Sequence, residues 1–249
     1  MLQNLKHFSK YFFIGLVAGL CILIAVFSAA GLLQLHRSTE RSDALKAKLH
    51  TIAVQSEEDG DGLPVIDWEN LNKHCPNAVG WLWCPDTKLD YPIVQAGDNS
   101  YYLNHLADET SDRHGAIFLD SRASPKLANR HTLIYGHNMV DGSMFQPLLK
   151  WNDAEYLSKH SRIYILTPAA AYKLDLFSAY ETLPDSDTYR ITFSGSDDFT
   201  AWRDELCRHS VFPAPSGIGR ADRVVTLSTC TDSSHRFVLH GALSLYFGS

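Results

Sequence analysis

Between Tyr11 and Leu35 the chain carries no charged side chain and is mostly apolar. No other feature limits the fold so strongly. As a helix rising about 1.5 Å per residue, this stretch is roughly 37 Å long, enough to cross a bilayer. Lys6 and Lys10 precede it. A buried core helix would show a polar stripe, and this segment has none. A signal-peptide apolar region is usually only about 7–15 residues long. Ser28-Ala29-Ala30 does resemble a cleavage site, so cleavage stays the alternative to a permanent anchor. The flanking charges do not orient the span: two basic residues lie before it, and Arg37, Arg41, Lys46 and Lys48 lie soon after it.

A span at 11–35 leaves 1–10 as a short terminus and the rest of the chain for one domain with a sizeable core. Residues 36–50 are charged and good helix formers, which reads as a stalk. Residues 51–62 are acidic and end in glycines, which reads as a flexible linker. The folded domain is expected to start at Leu63 and run to 249. Asp67 is placed to cap a short helix that follows it. β-branched or aromatic runs then predict strands at Val79–Trp83, Tyr91–Val94, Ala116–Leu119, Thr132–Tyr135, Arg162–Leu166, Tyr172–Tyr180, Arg223–Cys230 and Arg236–Tyr246. Helices are expected at Met144–Lys150, Ala154–Lys159 and Asp197–His209. Many strands with few helices imply a mainly β barrel or sandwich.

The net charge is -6 and there is no long Lys/Arg run, which argues against a nucleic-acid partner. Five cysteines are present, an odd number, so at least one cannot pair within the chain. Cys75 and Cys84 are either a disulfide or two separate thiols. There is no C-x-x-C, H-E-x-x-H, G-x-S-x-G or P-loop. No acidic cluster calls for calcium, and no metal or cofactor is expected.

Three residues are suited to chemistry in combination. Cys230 ends an apolar strand, where a thiol is held rigidly yet can reach solvent. By itself it is more often a small core residue. His137 follows a strand that ends in Gly136, a glycine expected to permit an unusual turn, and can serve as an acid or base. Arg236 opens the next strand; if the two strands form a hairpin it returns to the rim where Cys230 sits. A guanidinium there can hold a carbonyl or a developing oxyanion.

Thr226-Leu-Ser-Thr-Cys230 matches the TLxTC signature of sortases, and an arginine follows on the next strand, as in that family. Tyr135-Gly-His-Asn-Met139 and Gly142-Ser-Met-Phe145 resemble the histidine segment of class B sortases. The likeness extends through Val79-Gly-Trp-Leu82, Asp90-Tyr-Pro-Ile-Val-Gln95, Asp98-Asn-Ser-Tyr-Tyr-Leu-Asn104 and Gly115-Ala-Ile-Phe-Leu-Asp120. It implies an eight-stranded β-barrel with peripheral helices, behind one transmembrane anchor with the catalytic domain outside a Gram-positive cell. It implies a cysteine transpeptidase: Cys230 attacks the threonine carbonyl of a C-terminal sorting signal, His137 protonates the leaving amine, and Arg236 holds the substrate backbone or oxyanion. Thr229, Ser228, Asn138 and Asp232 are the supporting positions. The implied partners are surface-protein or pilin substrates with an LPxTG-like or NPxTx-like signal, and an amine acceptor from peptidoglycan or pilin. Only five residues separate Cys230 from Arg236, a short connection for class B. The alternatives are a cysteine peptidase that uses water, and an anchored binding module without turnover.

Overall fold

The computed structural model describes residues 2–55, 62–213, 215, 221–231 and 234–248, with side chains from residue 15 onward. Helix α1 runs Leu2–Ala53. Its apolar side chains, such as Leu20, Ile24 and Phe27, are exposed, and the helix is long and apolar enough to cross a membrane.

The chain divides into two compact units, Met1–Asp43 and Ala44–Ser249. The second takes in the last turns of α1. Leu49 and Ala53, four apart and therefore on one helix face, are fully buried in a cluster with Leu71, Cys75, Trp81 and Tyr102. The sequence predicts a stalk over 36–50 and a linker over 51–62. Instead the helix continues to Ala53 and leads into β1 (Val54–Gln55), which pairs with β2 (Val65–Ile66). Residues 56–61 of that linker lie outside the described residues. Helix α2 (Trp68–His74) starts where expected: Asp67 accepts a hydrogen bond from Asn70 N at 2.9 Å.

Next come β3 (Ala78–Trp83), β4 (Asp90–Val94), β5 (Ile117–Leu119), β6 (His131–Tyr135), α3 (Ala154–Lys159), β7 (Arg162–Leu166), β8 (Ala171–Thr182), α4 (Ser196–His209), β9 (Val224–Cys230) and β10 (Arg236–Leu245). Eight strands close into a barrel in the order β10-β8-β7-β3-β4-β5-β6-β9. The pairs β4/β5 and β6/β9 are parallel; the other pairs are antiparallel. Along β9 the side chains alternate. Val225 and Leu227 enter the main core with Ile134, Leu239 and Phe237, while Val224 packs outward under Phe199 and Trp202 of α4. Ser228 and Cys230 share the parity of Val224 and face out of the barrel.

Cys75 and Cys84 are separate thiols. Cys75 donates to Ala107 O at 2.9 Å and Cys84 to Arg162 O at 3.4 Å. Burial pushes both thiols up to about 12.

Candidate active site

The antiparallel β9/β10 register sets Arg236 directly opposite Cys230. On the other side of β9, the parallel register with β6 sets Tyr135 beside Ser228, and Gly136 N donates to Ser228 O at 3.2 Å. β6 ends at Tyr135 and β9 at Cys230, so His137 leaves its strand near the end of β9 that carries Cys230 and, across the hairpin, Arg236. All three line one cleft of about 450 Å3.

His137 is held from the side away from β9. Its Nε2 donates to Leu103 O at 2.8 Å. A carbonyl only accepts, so Nε2 carries the proton and Nδ1 is left to exchange one. Gly136 does not adopt the left-handed backbone, contrary to the unusual turn expected of it. It is glycine for lack of room: a Cβ would lie 2.4 Å from Ile117 Cδ1 and 2.8 Å from the Phe145 ring. The residue that does take positive φ is Gly115, at +61°, where a Cβ would meet Tyr102 O at 2.5 Å and His137 Cδ2 at 3.0 Å.

The supporting positions fall in different places. Ser228 lines the cleft, its Oγ hydrogen-bonded to Tyr189 OH at 2.8 Å. Burial holds the Tyr189 phenol above its ordinary value, opposed by the nearby Arg236. Thr229 has the inward parity; its hydroxyl is buried and has no hydrogen-bond partner among the described residues. What it offers the cleft is therefore backbone. Asn138 stands at the neck of the loop after His137, its backbone bridging to Met144. Asp232 lies outside the described residues.

A further part of the cleft wall is not marked by any motif in the sequence. Asn99, Arg122 and Tyr135 line the cleft, and all three are tied to the buried carboxylate of Asp120. Oδ1 accepts from Arg122 N and Nε, both at 2.9 Å; Oδ2 accepts from Arg122 Nη2 at 2.8 Å and from Asn99 Nδ2 and Tyr135 OH at 3.0 Å. Burial alone would raise this carboxyl, but the bonds from Arg122 and Tyr135 outweigh it and hold it at about 2. The segments Asp98–Asn104 and Gly115–Asp120 were noted only for their resemblance; their shared position at the cleft was the signal in them.

The sortase domain family matches residues 82–244. Sortase B of Listeria monocytogenes serovar 1/2a is 37% identical over 181 residues, which cover 71% of this chain and 72% of that one. The chain belongs to the sortase family, in class B. Two solved structures agree with this. Sortase B from B. anthracis in complex with AAEK1 is 31% identical with a TM-score of 0.74, covering 85% of this chain and 100% of that one. A Staphylococcus aureus sortase B–substrate complex is 27% identical with a TM-score of 0.72, covering 86% and 100%. The eight-stranded barrel expected from the resemblance is the fold of these class B sortases. This sortase is thus a cysteine transpeptidase, of a family associated with the cell envelope.

The other cysteines fit that chemistry poorly. Cys75 and Cys84 are buried, Cys207 is half-buried on α4 with its thiol raised by burial, and Cys21 lies in the apolar stretch of α1. Cys230 alone among them opens on the cleft beside a histidine and an arginine.

Proposed function

We propose that Cys230 is the nucleophile, His137 the proton-transfer group and Arg236 the holder of the substrate carbonyl. The shared lining of one cleft by these three residues, with Arg236 directly across from Cys230, supports this reading. The Cys230 sulfur attacks the carbonyl carbon of a threonine in a C-terminal sorting signal, and the peptide C–N bond breaks. His137 Nδ1 takes the thiol proton as the sulfur attacks and gives it to the leaving amine, and a thioester remains on Cys230. An amine acceptor then attacks the thioester, His137 takes a proton from that amine and returns it to the departing sulfur, and a new amide frees the thiol. Arg236, across from the sulfur, faces the charge that develops on the carbonyl oxygen. Ser228, through Tyr189, and the Thr229 backbone shape the cleft around it.

The substrate is a surface protein or pilin with an LPxTG-like or NPxTx-like signal, and the acceptor is a peptidoglycan stem peptide or a pilin lysine. Residues 11–35 cross the plasma membrane once, with 1–10 cytoplasmic, 36–43 as the stalk, and the catalytic unit that begins at Ala44 outside. The exposed apolar length of α1 supports the span, and the family's place at the cell envelope supports the orientation.

Fluorogenic peptides carrying each motif test the chemistry. Turnover is expected to fall to background in Cys230→Ala while the thermal midpoint persists, and hydroxylamine is expected to speed product release. Turnover surviving in that variant removes Cys230 from the reaction. Release indifferent to amines makes the enzyme a peptidase using water.

A further inference from the structure

The loop that follows His137 closes on His137 itself. Asn138 bridges to Met144, and Phe145 N donates to His137 O at 2.8 Å. At the loop's tip, Asp141 Oδ1 accepts from Ser143 N at 3.0 Å and Ser143 Oγ at 2.6 Å. Its second oxygen, Oδ2, reaches back to His114 Nε2 at 2.8 Å. His114 is 1% exposed, and its Nδ1 is hydrogen-bonded to the equally buried Asp112 Oδ1 at 2.8 Å. One buried imidazole thus joins two carboxylates from segments 29 positions apart (141 less 112).

His114 also precedes Gly115, the residue packed on the His137 ring. The strip around it is stitched to the strip that supplies Leu103 O. Asp112 N donates to Asn104 O at 3.0 Å, and Ala116 N donates to Tyr102 O at 2.9 Å. So the surface that contacts the His137 ring, the carbonyl that takes its Nε2 proton and the loop that carries its backbone are fastened at one point. Buried, charge-assisted hydrogen bonds are the strong ones, and they suit such a fastening.

We propose that His114 and Asp141 are positioning residues for the reaction, clamping the His137 loop so that the imidazole keeps its place in the cleft it shares with Cys230. This rests on the reading of His137 as the proton-transfer group. Neither residue touches substrate; both act through His137. The substrate wall on Asn99, Arg122 and Tyr135 hangs from a separate carboxylate, Asp120, so loosening the clamp leaves binding alone.

The experiment is a double-mutant cycle on the full chain, with Asp141→Ala, His137→Ala and the pair. The readouts are kcat and KM on whichever of the two fluorogenic peptides the wild type cleaves, and the rate of Cys230 alkylation by chloroacetamide. Asp141 is partly exposed on a surface loop, so its truncation spares the core. Asp141→Ala is expected to lower kcat by about 10- to 100-fold, the scale of a misplaced reacting group, with KM within about twofold. In the His137→Ala background the same change is expected to cost nothing more. Asp141→Asn, which keeps one acceptor, is expected to recover part of the rate. An equal loss from Asp141→Ala with and without His137 overturns the clamp, as does an unchanged kcat. If His137→Ala itself leaves kcat and alkylation intact, the underlying reading of His137 fails instead.

Discussion

Asp120 never meets the reacting atoms, yet three cleft side chains depend on it. Replacing it by Asn keeps its size and removes an acceptor, and it turns a bidentate ion pair with Arg122 into a neutral contact. The expected outcome is a KM raised by roughly 10- to 100-fold with kcat held within about twofold, since a charged hydrogen bond contributes about 1.5–3 kcal/mol. Steady-state kinetics on the peptide checks this; a loss confined to kcat would show that the wall does not bind substrate. The two hubs also mark what could be read at this scale. That Cys230, His137 and Arg236 meet at one cleft was legible because Cys230 and His137 sit in short contiguous patterns and Arg236 opens the strand that returns to Cys230. Asp120 and His114 were not, because their meaning lies in partners 15 to 27 positions away, such as Tyr135 and Asp141. Gly136 shows the opposite error. Its identity was noticed, but its cause is a close approach of Ile117 and Phe145, which no local pattern reveals.

At the scale of elements, β9 has two faces with different tasks. Its outer face lies under α4 and hides a polar strut. His131 Nδ1 meets Arg190 O at 2.7 Å, so it donates, and Nε2 must then accept from the Thr226 hydroxyl at 2.7 Å. Thr226 Oγ1 in turn accepts from His240 Nδ1 at 2.8 Å. That leaves His240 Nε2 a bare acceptor, without a partner among the described residues. Burial depresses both imidazoles, His131 to about 4 and His240 well below its ordinary value. In the unfolded chain both take up a proton near about 6.5. Between about 6.5 and 4 the unfolded state therefore binds more protons. The stability of the folded state is fully present above that window and falls as pH drops through it, by up to about 1.4 kcal/mol per pH unit for each histidine. Urea unfolding between pH 7.5 and 5 is expected to show this slope, and His240→Gln to reduce it by about one proton; an identical slope in that variant would place the protons elsewhere. Most of these elements were legible. Every long strand came from β-branched or aromatic runs, and α4 from the gap they leave at 197–209. The β1/β2 pair, two residues each, was too short to leave a pattern, and the parallel pairings of β4/β5 and β6/β9 depend on chain far away.

Across the whole molecule, the compact unit that holds the barrel reaches back into α1. Leu49 and Ala53 fill the cluster around Trp81 and Tyr102, and Asn70 Nδ2 donates to Ile52 O at 2.9 Å. A soluble form beginning at Ala44 is therefore expected to be more stable than one beginning at Leu63 by at least about 2 kcal/mol, the value of burying one leucine. Chemical denaturation of the two forms measures this, and equal midpoints would make the last turns of α1 dispensable. The mainly β class and the apolar span were plain in the sequence; the docking of the helix end was not, because Leu49 and Ala53 stand among Lys46, Lys48 and His50, which read as a solvated stalk. The parallel pairing of β6 with β9 has one more consequence. Strands that run the same way need a long crossover between them, and such contacts form late. A ribosome has already finished the histidine half of the site when the thiol half is still unmade. The cleft that His137, Cys230 and Arg236 line is thus incomplete until β9 and β10 have both been made.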